Sequence, residues 1–266
     1  MKKLFLLFCG IIALTSACSS PEKKWKLSWA DEFDSTGSPD SSRWNYDLGD
    51  GCPDNCGWGN DEAQFYTSYS KNVRIDSGRL IIEAQQDSMN EKAFTSTKLI
   101  SKGSGDCLYG RIEVSARLPK GKGTWPAIWM LPIDWKYGGW PMSGEIDIME
   151  HVGFDSGVVH GTLHSGKYNH IKRTQQEGKI NIADCSDAFH VYAIEWEENE
   201  IRFYVDDKMY HQVKRNPKDD FHGWPFDQKF YLILNVAVGG NWGGMQGIDP
   251  TIWPQRMEVD YVRVYE

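Results

Sequence analysis

The chain has 266 residues, with 29 basic against 37 acidic side chains and a net charge of −8 near neutral pH. That balance, with no basic stripe along the chain, excludes nucleic acid as the expected partner, because phosphate binding needs basic surface. Its 12 tryptophans and 12 tyrosines suit a neutral ligand with apolar faces, such as a sugar, or a very aromatic core.

The first element is a leader. Lys2 and Lys3 precede an apolar run over 4–14, and Thr15-Ser16-Ala17 place small residues before Cys18. The pattern predicts a bacterial export signal over 1–17, too short for a membrane span and cleaved before Cys18 in the manner of a lipoprotein. Acylation of Cys18 would anchor the chain in the cell envelope, at the outer membrane or cell surface, with residues 18–24 as a tether. Ordinary cleavage with a soluble secreted product is the alternative. Residues 25–266 then read as one domain, without repeat or linker. Once Cys9 leaves with the leader and Cys18 is acylated, Cys52, Cys56, Cys107 and Cys185 remain. An even count outside the cytoplasm reads as disulfides, with the local Cys52–Cys56 bridge expected first. Zinc is the competing reading, but Cys107 and Cys185 lack the paired short motif of such sites.

Beyond Trp25 the chain is a series of short β-rich runs punctuated by Gly, Pro, Asn and Asp. Runs are expected at 80–84, 109–118, 125–131, 146–151, 158–164, 189–196, 201–205, 230–238 and 257–265. The class is therefore all-β, an antiparallel sandwich. In the run from Trp125, strand parity puts Trp125, Ala127 and Trp129 on one face and Ile128 and Met130 on the other. Two rings flanking a small residue make a stacking floor, while Ile128 and Met130 supply the core face. His160, Thr162 and His164 likewise share a face opposite Val159 and Leu163, which predicts a polar cleft.

The segment Glu145-Ile146-Asp147-Ile148-Met149-Glu150 puts three carboxylates on an apolar strand pattern. Glu145 and Asp147 share a face, whereas Glu150, five residues on, needs a β-bulge near Met149 to join them. Two carboxyl groups on one face can divide nucleophile and acid roles, as retaining glycoside hydrolysis requires. A solvated or calcium-binding acidic edge strand is the alternative. Asp260, with apolar neighbours on both sides, is expected to be buried. If the terminal strands pair, Glu32 and Asp260 could share a calcium ion, with a salt bridge to arginine as the alternative.

Four motifs appear in order: Gly57-Trp58-Gly59-Asn60-Asp61-Glu62; the stretch from Leu118-Pro119-Lys120-Gly121 to Trp129; Gly144-Glu145 to Glu150; and Leu234-Asn235-Val236-Ala237-Val238-Gly239-Gly240. Together they resemble glycoside hydrolase family 16, and specifically its laminarinase-like bacterial members, over nearly all of the chain after the tether. The resemblance implies a β-jelly-roll of two curved antiparallel sheets, the concave one forming a cleft for polysaccharide. It implies Glu145 as nucleophile, Asp147 as its helper and Glu150 as acid/base. Trp125, Trp129 and Trp140 resemble substrate-stacking positions, with Asn60 and His164 as hydrogen-bonding partners. Glu32, the carbonyl of Gly78 and Asp260 resemble a structural calcium site on the convex side. No organic cofactor is implied, and a monomer is expected.

The implied activity is a retaining endo-β-glucanase acting on β-1,3-glucan and extending to mixed β-1,3/1,4-glucan. The inserted Met149 points to the bulged branch of the family. Thr97-Lys98 departs from many laminarinases, which carry an arginine there. Two rivals stay open: a same-fold hydrolase of a galactan such as agar, and a noncatalytic glycan-binding surface protein, which has no need of all three acids.

Overall fold

Period-two alternation and frequent turn residues lead this chain into strands rather than helices. The computed structural model describes residues 25–266, so the export signal over 1–17, Cys18 and the tether to residue 24 lie outside the described residues. In chain order the strands are β1 (Leu27–Asp31), β2 (Asn45–Tyr46), β3 (Gln64–Tyr66), β4 (Val73–Asp76), β5 (Arg79–Ala84), β6 (Phe94–Ser96), β7 (Lys98–Ile100), β8 (Gly110–Arg117), β9 (Thr124–Pro132), β10 (Glu145–Glu150), β11 (Val158–His164), β12 (Gln176–Asn181), β13 (His190–Glu197), β14 (Glu200–Val205), β15 (Lys208–Lys214), β16 (Phe230–Val238) and β17 (Gln255–Tyr265). Among the described residues no helix is long and apolar enough to cross a membrane.

Two antiparallel sheets carry the fold. One runs β15-β14-β13-β8-β17-β5-β4, with β1 added to β17; the other runs β12-β11-β10-β9-β16-β7-β2, while β3 and β6 form a small parallel pair. This is the expected all-β jelly-roll sandwich. Ile112, Val114 and Ala116 of β8 and Val259, Val262 and Val264 of β17 share one buried cluster with Ile128 and Met130 of β9 and Ile146 of β10. Burying each such aliphatic side chain stabilises the fold by roughly 1.5–3 kcal/mol. On the far side of the seven-stranded sheet, Ile100, Tyr231 and Ile233 form a second cluster beside Trp129 and Leu131. That face carries the candidate site.

Strands β12 and β15 were not legible in the sequence, because both are largely polar. As edge strands of the two sheets they approach across the sandwich: a Cβ on Gly161 of β11 would stand 2.4 Å from the Tyr210 hydroxyl of β15, and one on Gly178 of β12 would meet the His211 ring of β15 at 2.3 Å. Glycine at these two positions permits the approach.

Two expectations are corrected, and the salt-bridge alternative is found at Glu32. Asp260 is exposed rather than buried, because β17 slips register against β8 between Val259 and Tyr261 and parity no longer predicts its face. Glu32 accepts from Arg263 at both carboxylate oxygens, at 2.8 and 2.9 Å, which is the salt-bridge alternative. Gly78 lies in the β4–β5 turn with φ of 73°. A calcium ion held by Glu32, the Gly78 carbonyl and Asp260 would therefore compete with Arg263 for the Glu32 carboxylate,. Finally, Cys52 and Cys56 form the expected disulfide, but Cys107 and Cys185 remain buried free thiols. Burial pushes the Cys107 thiol up to about 12, which leaves it unreactive,.

Candidate active site

Strand β10 lies between β9 and β11, and its register shows how three acids reach one face. Against β9, Asp147 pairs with Trp129 and Glu150 with Ala127, with a slip between Asp147 and Met149. Against β11, Asp147 pairs with Thr162 and Glu150 with His160. Three steps along β10 thus match two steps on each neighbour, which is a β-bulge over Ile148 and Met149. Ile146, Ile148 and Met149 all enter the core, and Glu145, Asp147 and Glu150 turn to the opposite face. The bulge therefore does what parity required of it.

Each glutamate meets an indole N–H. Trp140 Nε1 donates to Glu145 Oε2 at 3.0 Å, and Trp125 Nε1 donates to Glu150 Oε1 at 3.0 Å. His164, cross-strand from Glu145, sets Nε2 at 3.3 Å from Asp147 Oδ2 and 3.8 Å from Glu145 Oε1. Asp147 is 3 % exposed. Among the described residues, Glu145, Asp147 and His164 are the one group of three His, Cys, Asp or Glu ligand atoms within 4.8 Å of one another.

Burial, and then the Asp147 carboxyl, raises Glu145 from 4.5 to about 8, with His164 opposing. Glu150 rises to about 8 for the same two reasons, again opposed by His164 and by the Trp125 N–H. Burial lifts Asp147 well above its ordinary value, with only its hydrogen bond to Glu145 opposing. Three carboxyls in one buried row cannot all ionise near neutral pH. Charge on Glu145 is eased by His164 and the Trp140 N–H, and charge on Glu150 by His164 and the Trp125 N–H. When Asp147 keeps its proton, its repulsion of Glu145 disappears.

The tryptophans of β9 stand where parity put them, both only partly buried on the cleft face. Trp129 Nε1 donates to Asn235 Oδ1 at 2.7 Å, and Asn235 Nδ2 donates to the Tyr66 hydroxyl at 3.0 Å. Tyr66 continues to Glu62 at 3.3 Å, where Gln64 also donates at 2.6 Å. Asn60 enters this network through Glu62, at 3.4 Å, and does not touch the three acids. Lys98 sits over the Trp58 ring at 4.1 Å and over Trp129 at 5.1 Å, paired with Asp47 at 3.1 Å. Sequence reasoning did not single out Asn235, Tyr66 or Glu62 as site residues. Asn235 carried a signal, a polar side chain inside the apolar run of β16, whereas Tyr66 on β3, and Glu62 just before that strand, arrive from a part of the chain distant in sequence.

The family model "Glycosyl hydrolases family 16" matches residues 58–263. A β-glucanase of Rhodothermus marinus is 49 % identical over 98 % of this chain and 92 % of its own length. The laminarinase structure from Rhodothermus marinus superposes with a TM-score of 0.88 at 51 % identity, covering 91 % of this chain and 98 % of that one. A non-specific endo-β-1,3(4)-glucanase crystallised with 1,3-β-D-cellotriosyl-glucose gives 0.87 at 42 % identity, covering 92 % and 96 %. By sequence, by fold and by the carboxylate row on β10, this chain belongs to glycosyl hydrolase family 16.

Proposed function

We propose that the chain is a retaining endo-β-glucanase that cleaves β-1,3-linked glucan and accepts mixed β-1,3/1,4-glucan. The bulge that brings Glu145 and Glu150 onto one face, each beside an indole N–H, carries the reading. Glu145, with Asp147 and His164 around it, is the nucleophile: its carboxylate attacks the anomeric carbon as the glycosidic C–O bond breaks. Glu150 gives its proton to the departing oxygen. In the second step Glu150, now ionised, takes a proton from water, and that water displaces Glu145 from the anomeric carbon with net retention. Asp147 orients Glu145 and shares a hydrogen bond with it. Trp125, Trp129 and Trp140 offer rings to sugar faces, while His164, and Asn60 through Glu62, supply polar contacts.

The substrate class is supported by relatives named for β-1,3- and β-1,3(4)-glucan. No step needs an organic cofactor. A structural calcium at Glu32, the Gly78 carbonyl and Asp260 would have to draw Glu32 away from Arg263. Export as a monomeric lipoprotein anchored through Cys18 fits the leader and an extracellular polysaccharide.

Product analysis over laminarin, curdlan, lichenan, barley β-glucan, agarose and carrageenan tests the reading. Oligosaccharides from the glucans are expected, and cleavage confined to the galactans would overturn it. Glu145→Gln is expected to lose roughly 10⁴-fold or more in kcat while still binding glucan oligosaccharide. Parent-level turnover in that variant would remove Glu145 as nucleophile.

A further inference from the structure

The polar face of the cleft continues past the carboxylates. Across from Glu150 stands His160 of β11, 3 % exposed, and no step above uses it. Its Nδ1 lies 2.5 Å from Glu177 Oε1 of β12. Its ring meets Trp242 edge-on, with centroids 4.9 Å apart, and Trp242 packs edge-on against Trp125 at 5.6 Å. Trp125 is the residue whose N–H reaches Glu150. Nε2 of His160 is buried and has no hydrogen-bond partner. Buried polar atoms are ordinarily paired. A ring held at one nitrogen by a carboxylate and packed against an indole, with its other nitrogen buried and unpaired at the Glu150 end of the polar face, leaves one polar atom for a ligand to satisfy.

The chemistry of that atom follows from Glu177. Its carboxyl is held below the usual range, first by the His160 hydrogen bond, and Lys179 approaches it at 3.4 Å. An ionised Glu177 keeps the Nδ1 proton in place. Nε2 then offers a lone pair when the ring is neutral and an N–H when it is charged. A sugar hydroxyl both donates and accepts, so it satisfies either form. The sugar that departs carries the oxygen protonated by Glu150, so its hydroxyls meet polar atoms grouped about Glu150. His164 and Trp140 belong instead to the Glu145 end. We infer that His160 Nε2 hydrogen-bonds a hydroxyl of the leaving-side glucose unit, and that Glu177 positions the ring for this contact. The inference rests on the glucanase reading above.

The test uses the intact protein and two substrates: a β-1,3-linked glucose oligosaccharide, and an aryl glycoside of the same glycone whose leaving group has no hydroxyl for His160. One lost hydrogen bond is worth about tenfold. His160→Ala is therefore expected to lower the ratio of kcat/KM on the oligosaccharide to that on the aryl glycoside by about tenfold. His160→Gln, whose amide can face the same hydroxyl, restores part of the ratio. Glu177→Gln moves it in the same direction as His160→Ala, by less. Equal losses on both substrates would make His160 a packing residue, and an unchanged ratio would remove the contact; either overturns the inference. If His160→Ala does not fold, Glu177→Gln decides, since an unchanged ratio there overturns it equally. An unmodified protein inactive on both substrates would remove the glucanase reading and this inference together, whereas an active parent with unselective variants removes only the inference.

Discussion

Placing Glu150 in a buried row beside Asp147 sets its reactivity and also destabilises one form of the fold. Burial first, and Asp147 second, holds the group protonated up to about pH 8, which keeps a proton available for the departing oxygen at neutral pH. An unfolded glutamate releases that proton at about 4.3. The stabilisation from the retained proton is therefore full below the unfolded value and is lost as pH rises through about 8,. Glutamine has no charge to bury. Glu150→Gln is expected to gain melting temperature over the parent as pH rises to 8 and above, with the gap closing by about pH 4. Each kcal/mol corresponds to roughly 2–4 °C at this size. Calorimetric scans across pH check this, and a gap independent of pH would mean that Glu150 ionises as freely in the fold as out of it.

At the scale of the element, the bulge on β10 has a testable geometry. Asp147 and Glu150 face Trp129 and Ala127 on one neighbour and Thr162 and His160 on the other, pairs that are each two residues apart. Deleting Met149 would leave the two acids two residues apart as well, in a regular strand with Glu150 still on the cleft face. That deletion is expected to retain measurable glucan hydrolysis while losing a fully buried core side chain, a cost of about 2–5 kcal/mol by analogy with Met→Ala. An alanine inserted after Met149 adds a step without a matching one on β9 or β11. If the bulge persists Glu150 turns to the core face, and if it is ironed out Glu150 moves one cross-strand pair further from Glu145 along the cleft face; either should abolish turnover,. Reducing-sugar assays and thermal melts on the two variants separate the outcomes, and an inactive deletion beside an active insertion would refute this account of the register.

At the scale of the molecule, the ends of the described chain clasp each other. β1 pairs with β17, from Leu27 with Tyr265 to Asp31 with Val262, and the Glu32–Arg263 fork closes the clasp. Because that fork already neutralises Glu32, a chelator is expected to leave the melting temperature unchanged. A fall on chelation, restored by calcium, would show that the cation displaces Arg263.

The sequence by itself determined the strand class, the shared cleft face of Trp125 and Trp129, and the need for a bulge before Glu150. Each follows from local alternation, which a strand imposes residue by residue. It also indicated the Cys52–Cys56 bridge, which joins near neighbours. Only the tertiary structure decided the contacts between distant segments: Trp129 with Asn235, Asn235 with Tyr66, and Glu32 with Arg263. It alone left Cys107 and Cys185 unpaired, set Asp260 in solvent at a register slip, and joined His160 to Glu177 beside Glu150. Such pairings depend on which strands lie side by side and in what register, and no local periodicity encodes either.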